Sequence, residues 1–194
     1  MKIVIIKYNA GNVYSVSSAL KRLGYDAVIT SDLEEIKSAD KIIFPGVGEA
    51  RSAIKYLKET KLDVLIPELK QPFLGVCLGL QLLCNYSEEG KTKCLGVFNE
   101  EVKRFPPKEK VPHMGWNSIK FSDSKLFANI PNESFVYFVH SYFAELSKYT
   151  IAETDYILPF SSALQKNNFY ALQFHPEKSG IIGEQILKNF IELI

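Results

Sequence analysis

An α/β fold is the class that this sequence predicts: a mostly parallel central sheet flanked by helices, with an antiparallel strand annex in the second half. Three observations lead there. Short apolar runs alternate with segments of helical spacing through the first half. The junctions between them carry turn-forming glycine, proline and asparagine. Beyond about residue 100 the helical spacing gives way to short strand-like runs and returns only over residues 180–194.

The elements follow in order. Lys2–Tyr8 is a β-branched apolar run, read as a buried strand. Asn9-Ala10-Gly11-Asn12 is turn chemistry; Val13, Val16, Leu20 and Leu23 then recur at helical spacing until Gly24. Asp26–Thr30 reads as a strand, Asp32–Ala39 as a short helix, and Lys41–Phe44 as a third strand ended by Pro45-Gly46-Val47-Gly48. Glu49–Thr60, with Ala53, Ile54 and Leu57 on one face, and Leu62–Leu69 read as helices. Phe73–Val76 is the fourth strand and Leu78–Tyr86 the helix after it. Strand and helix in alternation imply parallel strands joined by right-handed crossovers. In the second half, Glu100–Phe105, Trp116–Phe121, Phe135–His140, Tyr149–Thr154, Phe160–Lys166 and Phe169–Phe174 read as strands. Asn167-Asn168 is a hairpin signal. Pro106-Pro107-Lys108-Glu109-Lys110 reads as an exposed loop, and Gly180–Ile194 as a helix with Ile182, Ile186, Phe190 and Leu193 on one stripe.

Composition bounds the function. The chain has 194 residues, 46% hydrophobic and 23% charged, which suits one globular domain spanning residues 1–194. Lysine and arginine number 23 against 22 aspartate and glutamate, without the basic excess of a nucleic-acid binder. The longest nearly apolar run, Phe73 to Cys84, is broken by Gly75, Gly79 and Gln81 and is too short to span a bilayer. The apolar stretch within residues 1–7 is too short for a signal peptide. Three cysteines with no C-x-x-C pattern suit a reducing compartment, so a cytoplasmic protein is expected. No cluster of histidine and cysteine has ligand spacing, so neither a metal nor another cofactor is expected.

Gly75-Val76-Cys77-Leu78-Gly79 sits where a strand gives way to a helix. It is the cysteine counterpart of the G-x-S-x-G elbow, a strained turn that lifts a nucleophile above the sheet. The flanking glycines remove side chains that would collide. The following helix favours a thiolate at its N-terminus by roughly 0.3–1 kcal/mol. A cysteine nucleophile needs a base, and the chain has three histidines. His175 stands in Gln173-Phe174-His175-Pro176-Glu177, where an extended backbone projects the imidazole and the Glu177 carboxylate to one side. His113 and His140 have no carboxylate at this spacing. A covalent intermediate also needs an oxyanion hole. Gly46, Val47 and Gly48 follow a strand expected beside the one that ends at Cys77, so the Val47 and Leu78 N–H groups are the two candidate donors. A phosphate loop is the competing reading of these glycines, but no Lys-Ser/Thr follows them.

The order Cys77, His175, Glu177, set in G-V-C-L-G-L-Q and F-H-P-E, resembles the class I, triad-type glutamine amidotransferases over essentially the whole chain. Y-N-A-G-N near the start, P-G-V-G, P-H-M-G-W-N at 112–117, H-S-Y-F at 140–143 and F-H-P-E-K-S-G at 174–180 narrow the resemblance to glutaminase subunits of imidazole glycerol phosphate synthases. The P-H-M-G-W-N block is the specific element. The resemblance implies that Gln81, Glu89, Ser141 and Tyr142 hold glutamine alongside the Gly46–Gly48 backbone. It implies a (βα)₈-barrel cyclase subunit as partner, met by a face containing Asn12, His113, Met114, Trp116 and Lys178. Phe143 stands where many relatives have a second tyrosine, and Ser15 where many have asparagine. One peptide unit, Gly46–Val47, is expected to switch the site, with the oxyanion hole unformed in the chain alone. Two other classes remain open from the residues: a stand-alone cysteine hydrolase, and a non-catalytic binding subunit on the same fold.

Overall fold

A run of apolar residues with no polar alternation can be buried only where both faces of a strand are covered. β1 (Ile3–Ile6) is such a run and is buried at every position. In the computed structural model, which describes residues 1–9 and 11–194, it pairs in parallel with β2 (Ala27–Thr30) on one side and β3 (Lys41–Gly46) on the other. β3 pairs in parallel with β4 (Phe73–Cys77), in a register that sets Gly46 opposite Cys77. Ala10, in the expected turn after β1, lies outside the described residues.

The helices bury the faces that their spacing predicts. α1 (Val13–Arg22) turns in Val13, Val16, Ala19 and Leu20. α2 (Leu33–Lys37) starts where the Asp32 side chain accepts the Glu35 N–H. α3 (Ala50–Glu59) buries Ala53, Ile54 and Leu57, and α4 (Leu62–Glu68) buries Leu62 and Ile66. α5 (Leu78–Leu83) is shorter than the expected Leu78–Tyr86. The Cys84 backbone is extended, and Asn85 donates its N–H to the Glu100 carbonyl. The sheet thus captures the chain, and Tyr86–Ser87 becomes β5.

The second half extends the same sheet. After β5 come β6 (Thr92–Lys93), β7 (Glu101–Arg104), β8 (His113–Ser118), β9 (Lys120–Phe121), β10 (Phe135–His140), β11 (Tyr142–Ala144), β12 (Thr150–Tyr156), β13 (Leu158–Lys166) and β14 (Phe169–Leu172). The 12-stranded sheet runs β2-β1-β3-β4-β14-β13-β11-β7-β5-β6, with β12 attached to β13 and β9 to β12. β14 is parallel to β4, and β13 and β11 follow antiparallel. The expected strand Trp116–Phe121 is two pieces: β8 pairs with β10 in a separate antiparallel ribbon, whereas β9 joins β12. Between them Ile119 is fully buried and donates its N–H to the Ser134 carbonyl, which parts the two. β11, β5 and β6 are too short to show a strand pattern in the sequence. The expected loop at 106–110 is largely exposed. α6 (Gly180–Leu193) packs through Ile186, Leu187, Phe190 and Ile191, whereas Leu193 faces outward as the buried stripe drifts around the helix.

The core lies in two layers, one on each face. Ile3, Ile5, Ile43, Leu74 and Val76 face α1 and α6. Val4, Ile6, Ile42, Phe44 and Phe73 face α3, α4 and α5. Among the described residues, no helix is long and apolar enough to cross a membrane.

The junction of β4 and α5 positions the site. Cys77 has φ 55° and ψ −107°, a conformation that a non-glycine residue holds only under external constraint. That constraint is close packing of α5 on β3. A Cβ on Gly79 would fall 1.9 Å from the Phe44 carbonyl oxygen, and one on Gly75 would fall 2.7 Å from Leu83 Cδ1. The glycines flanking the nucleophile are therefore required by approach distance, as the elbow reading expects. Gly79→Ala should destabilise the chain by about 3 kcal/mol or more, because the obstructing atom is backbone that cannot rotate away. Denaturant unfolding checks this, and a midpoint near the parent's would contradict the packing argument.

Candidate active site

Cys77, His175 and Glu177 come together at the ends of β4 and β14. His175 Nδ1 lies 2.8 Å from Glu177 Oε1, and both side chains are wholly buried. His175 Nε2 has no hydrogen-bond partner, so that ring edge is uncommitted. The turn that carries the pair is pinned to β10. His175 donates its N–H to the Tyr137 carbonyl at 2.9 Å, the Ser179 hydroxyl donates to the His175 carbonyl, and the Tyr137 N–H donates to Ser179 Oγ. Burial alone would lower the His175 pKa; the adjoining Cys77 and Glu177 side chains outweigh it and raise the value to about 10. The site therefore favours an imidazolium at His175 at neutral pH.

A cavity of about 380 Å³ opens over Cys77. Val47, Gly48, Leu78, Gln81, Glu89, Ser141 and Tyr142, all expected around glutamine or its oxyanion, line it with Pro112, Val139 and His140. Leu78 is the first residue of α5, so its N–H lies outside the hydrogen bonds of the helix. Gly46 is not at the cavity wall but behind it, where a Cβ would fall 1.8 Å from Tyr8 Oη. Glu89 accepts the Ala50 N–H at the start of α3, and burial raises its pKa despite that bond. Gln81 Nε2 donates to the Tyr142 carbonyl at 3.0 Å and to Gln173 Oε1 at 3.2 Å, and Gln173 Nε2 reaches Cys77 Sγ at 3.9 Å.

The residues expected at a partner face divide. Met114 and Trp116 are 58% and 56% exposed on the outer side of β8, where Trp116 meets Tyr137 edge to face, and Lys178 is exposed. Asn12 turns inward instead, donating its amide to Glu177 Oε1 and lying 3.4 Å from His175 Nδ1. His113 is a correction to the surface reading. Alternation along β8 puts it on the inner side, 4% exposed, with Nδ1 3.1 Å from His140 Nε2. Sequence reasoning also passed over Tyr8, Gln173 and Ser179. Gln173 carried a signal, being two residues before His175 and so on the same side of an extended strand. Tyr8 and Ser179 carried none. Among the described residues, no group of three histidine, cysteine, aspartate or glutamate side chains could hold a metal ion.

With this geometry in view, the comparisons are consistent. Residues 4–193 match the model of the class-I glutamine amidotransferase family, and the chain belongs to that family. It is 62% identical over 196 residues, covering all of both chains, to imidazole glycerol phosphate synthase subunit HisH of Bacteroides fragilis (strain YCH46). It is 46% identical to the subunit of the same name from Pasteurella multocida, covering 99% of this chain and 98% of that one. A crystal structure of a glutamine amidotransferase superposes with a TM-score of 0.78 at 20% identity, covering 100% and 98% of the two chains, a likeness of fold.

Burial lowers the pKa of His113 to about 4 and that of His140 to about 3. A histidine kept neutral in the fold but free to protonate when unfolded makes stability fall with pH. The contribution is whole above about pH 6.5 and is lost as pH drops toward 4. Unfolding midpoints should therefore decline across that window, and His113→Asn should flatten the decline; equal slopes for parent and variant would contradict the assignment.

Proposed function

We propose that the chain is the glutaminase subunit of an imidazole glycerol phosphate synthase, releasing ammonia from glutamine for a separate cyclase subunit in histidine biosynthesis. The observation that carries the reading is the buried His175–Glu177 pair beside a left-handed Cys77 at the floor of the cavity. The subunit name of the relatives supports the biosynthetic context.

Cys77 Sγ attacks the side-chain amide carbon of glutamine. The oxyanion forms against the Leu78 and Val47 N–H groups, each such donor lowering the barrier by roughly 3–4 kcal/mol. His175 gives its proton to the departing ammonia. Water then attacks the γ-glutamyl thioester with His175 as base, and glutamate leaves. Glu89 suits the α-ammonium of glutamine, and Ser141 and Tyr142 suit its α-carboxylate. Gln81, whose amide nitrogen is already committed, presents its oxygen to the substrate. The chemistry needs no cofactor.

Ammonia is mostly ammonium at neutral pH and a poor nucleophile, so direct transfer to the partner is required. The partner is a (βα)₈-barrel cyclase, which docks on the face that bears Met114, Trp116 and Lys178. Localisation is cytoplasmic. Rotation of the Gly46–Val47 peptide ties turnover to that partner, since losing one oxyanion donor costs about 10²–10³ in rate.

Cys77→Ser should abolish glutamine hydrolysis while the assembled synthase still uses an ammonium salt at alkaline pH; persistent hydrolysis would rule out Cys77 as the nucleophile. Trp116→Ala should weaken assembly, measured by titration calorimetry, without shifting the unfolding midpoint. Robust glutaminase activity in the lone chain would favour the stand-alone hydrolase.

A further inference from the structure

The two histidines outside the triad are buried side by side in an aromatic cage. His113 stacks on Tyr156 at 4.0 Å between centroids and on Phe138 at 4.8 Å, while Phe105 and Phe160 tilt over His140. Their ring nitrogens form a chain with fixed ends. His140 Nδ1 lies 2.7 Å from the Tyr142 carbonyl, which can only accept, so Nδ1 carries a proton. A neutral His140 then accepts at Nε2, so His113 Nδ1 is the donor of the 3.1 Å bond between them. His113 Nε2 is left to accept, and the Asn117 amide nitrogen lies 3.3 Å away. That amide is itself oriented: its nitrogen donates to the Asp155 carbonyl and its oxygen accepts the Ser118 N–H. Every bond from Asn117 to Tyr142 therefore points one way.

The chain ends on the carbonyl that also receives Gln81. From Gln81 the contacts continue to Gln173 and to Cys77 Sγ. None of these histidine contacts has a part in the hydrolysis described above, and of the two histidines only His140 lines the cavity.

We propose that Asn117, His113 and His140 form a proton-ordered positioning chain that fixes the Tyr142 carbonyl, and through it the Gln81 side chain, for glutamine binding. The proposal deepens the glutaminase reading and rests on it for the identity of the substrate. His113 and His140 are positioning residues, acting through Tyr142 and Gln81. The P-H-M-G-W-N block then has two roles on opposite sides of one strand. Met114 and Trp116 face outward, while His113 and Asn117 face in toward the chain.

The test measures glutamine hydrolysis by the assembled synthase for the parent, His113→Leu and His113→Asn, with active sites counted by alkylation of Cys77. His113→Leu removes the donor to His140, and Asn returns an amide N–H near the position of Nδ1. The leucine variant should raise the KM for glutamine about tenfold, the size expected for leaving one buried acceptor unpaired, with a smaller change in kcat per counted site. The asparagine variant should recover most of that loss. A purely structural role would lower the number of counted sites and leave KM unchanged. An unchanged KM in folded His113→Leu, or equal defects in both variants, overturns the proposal. Nitrogen-15 imidazole spectra of the parent decide the proton order even if the variants fail to fold. Protonated Nδ1 and bare Nε2 on both rings is the expected result, and a protonated Nε2 on either ring overturns it. Absence of glutaminase activity in the parent complex would instead refute the reading of function, leaving the spectra to judge the chain of protons.

Discussion

The contact between the backbone of α5 at Gly79 and the Phe44 carbonyl is the constraint on which the site depends. It lets α5 lie on β3 at a distance that no residue with a side chain could match. With the helix held there, the turn that leads into it has little room, and Cys77 is forced into its left-handed conformation. The same closeness puts the loop after β3 beside the nucleophile, because Gly46 and Cys77 are partners in adjacent parallel strands. Cys77 and the free N–H of Leu78 are thus set by packing between rigid elements, which holds geometry better than a free loop could.

Three histidines lie near one another in this region and meet opposite fates. His175 is flanked by Cys77 and Glu177, and its affinity for a proton rises. His113 and His140 face aromatic rings, an amide and a carbonyl, and theirs falls. All three are buried, so desolvation opposes charge on each. What separates them is the partner. A carboxylate and a sulfur repay the desolvation of an imidazolium; a neutral neighbour that needs an acceptor does not. One buried region can therefore hold a protonated ring beside two neutral ones.

Much of this was legible in the residues. The parallel half followed from runs such as Ile3–Ile6 and Phe73–Val76, whose unbroken apolar character leaves few other placements. The elbow at Cys77 was legible because its glycines occur at a spacing that serves little else. His175 and Glu177 were legible because a two-residue step across a proline puts two side chains together. The residues expected to hold glutamine, Gln81, Glu89, Ser141 and Tyr142, came from resemblance to a family, since a glutamine on a helix or a serine at a strand end has no signature of its own. His113 was misplaced because a motif marks a segment and not the side of the strand on which each residue lies. That side is set by pairing with β10, which depends on residues more than twenty positions away. The short strands β5, β6 and β11 were hidden for the same reason: their pairing partners define them, and their composition does not.

The order of strands across the sheet bears on how the protein is made. β14, from the last part of the chain, lies between β4 and β13, so the sheet has a gap at its centre until residues 169–172 have been synthesised. The turn after it carries His175 and Glu177, and α6 closes against that turn so tightly that a Cβ on Gly183 would fall 1.9 Å from the Pro176 carbonyl. Cys77 and His175 thus come from opposite halves of the chain, and they meet only when β14 fills the gap between β4 and β13.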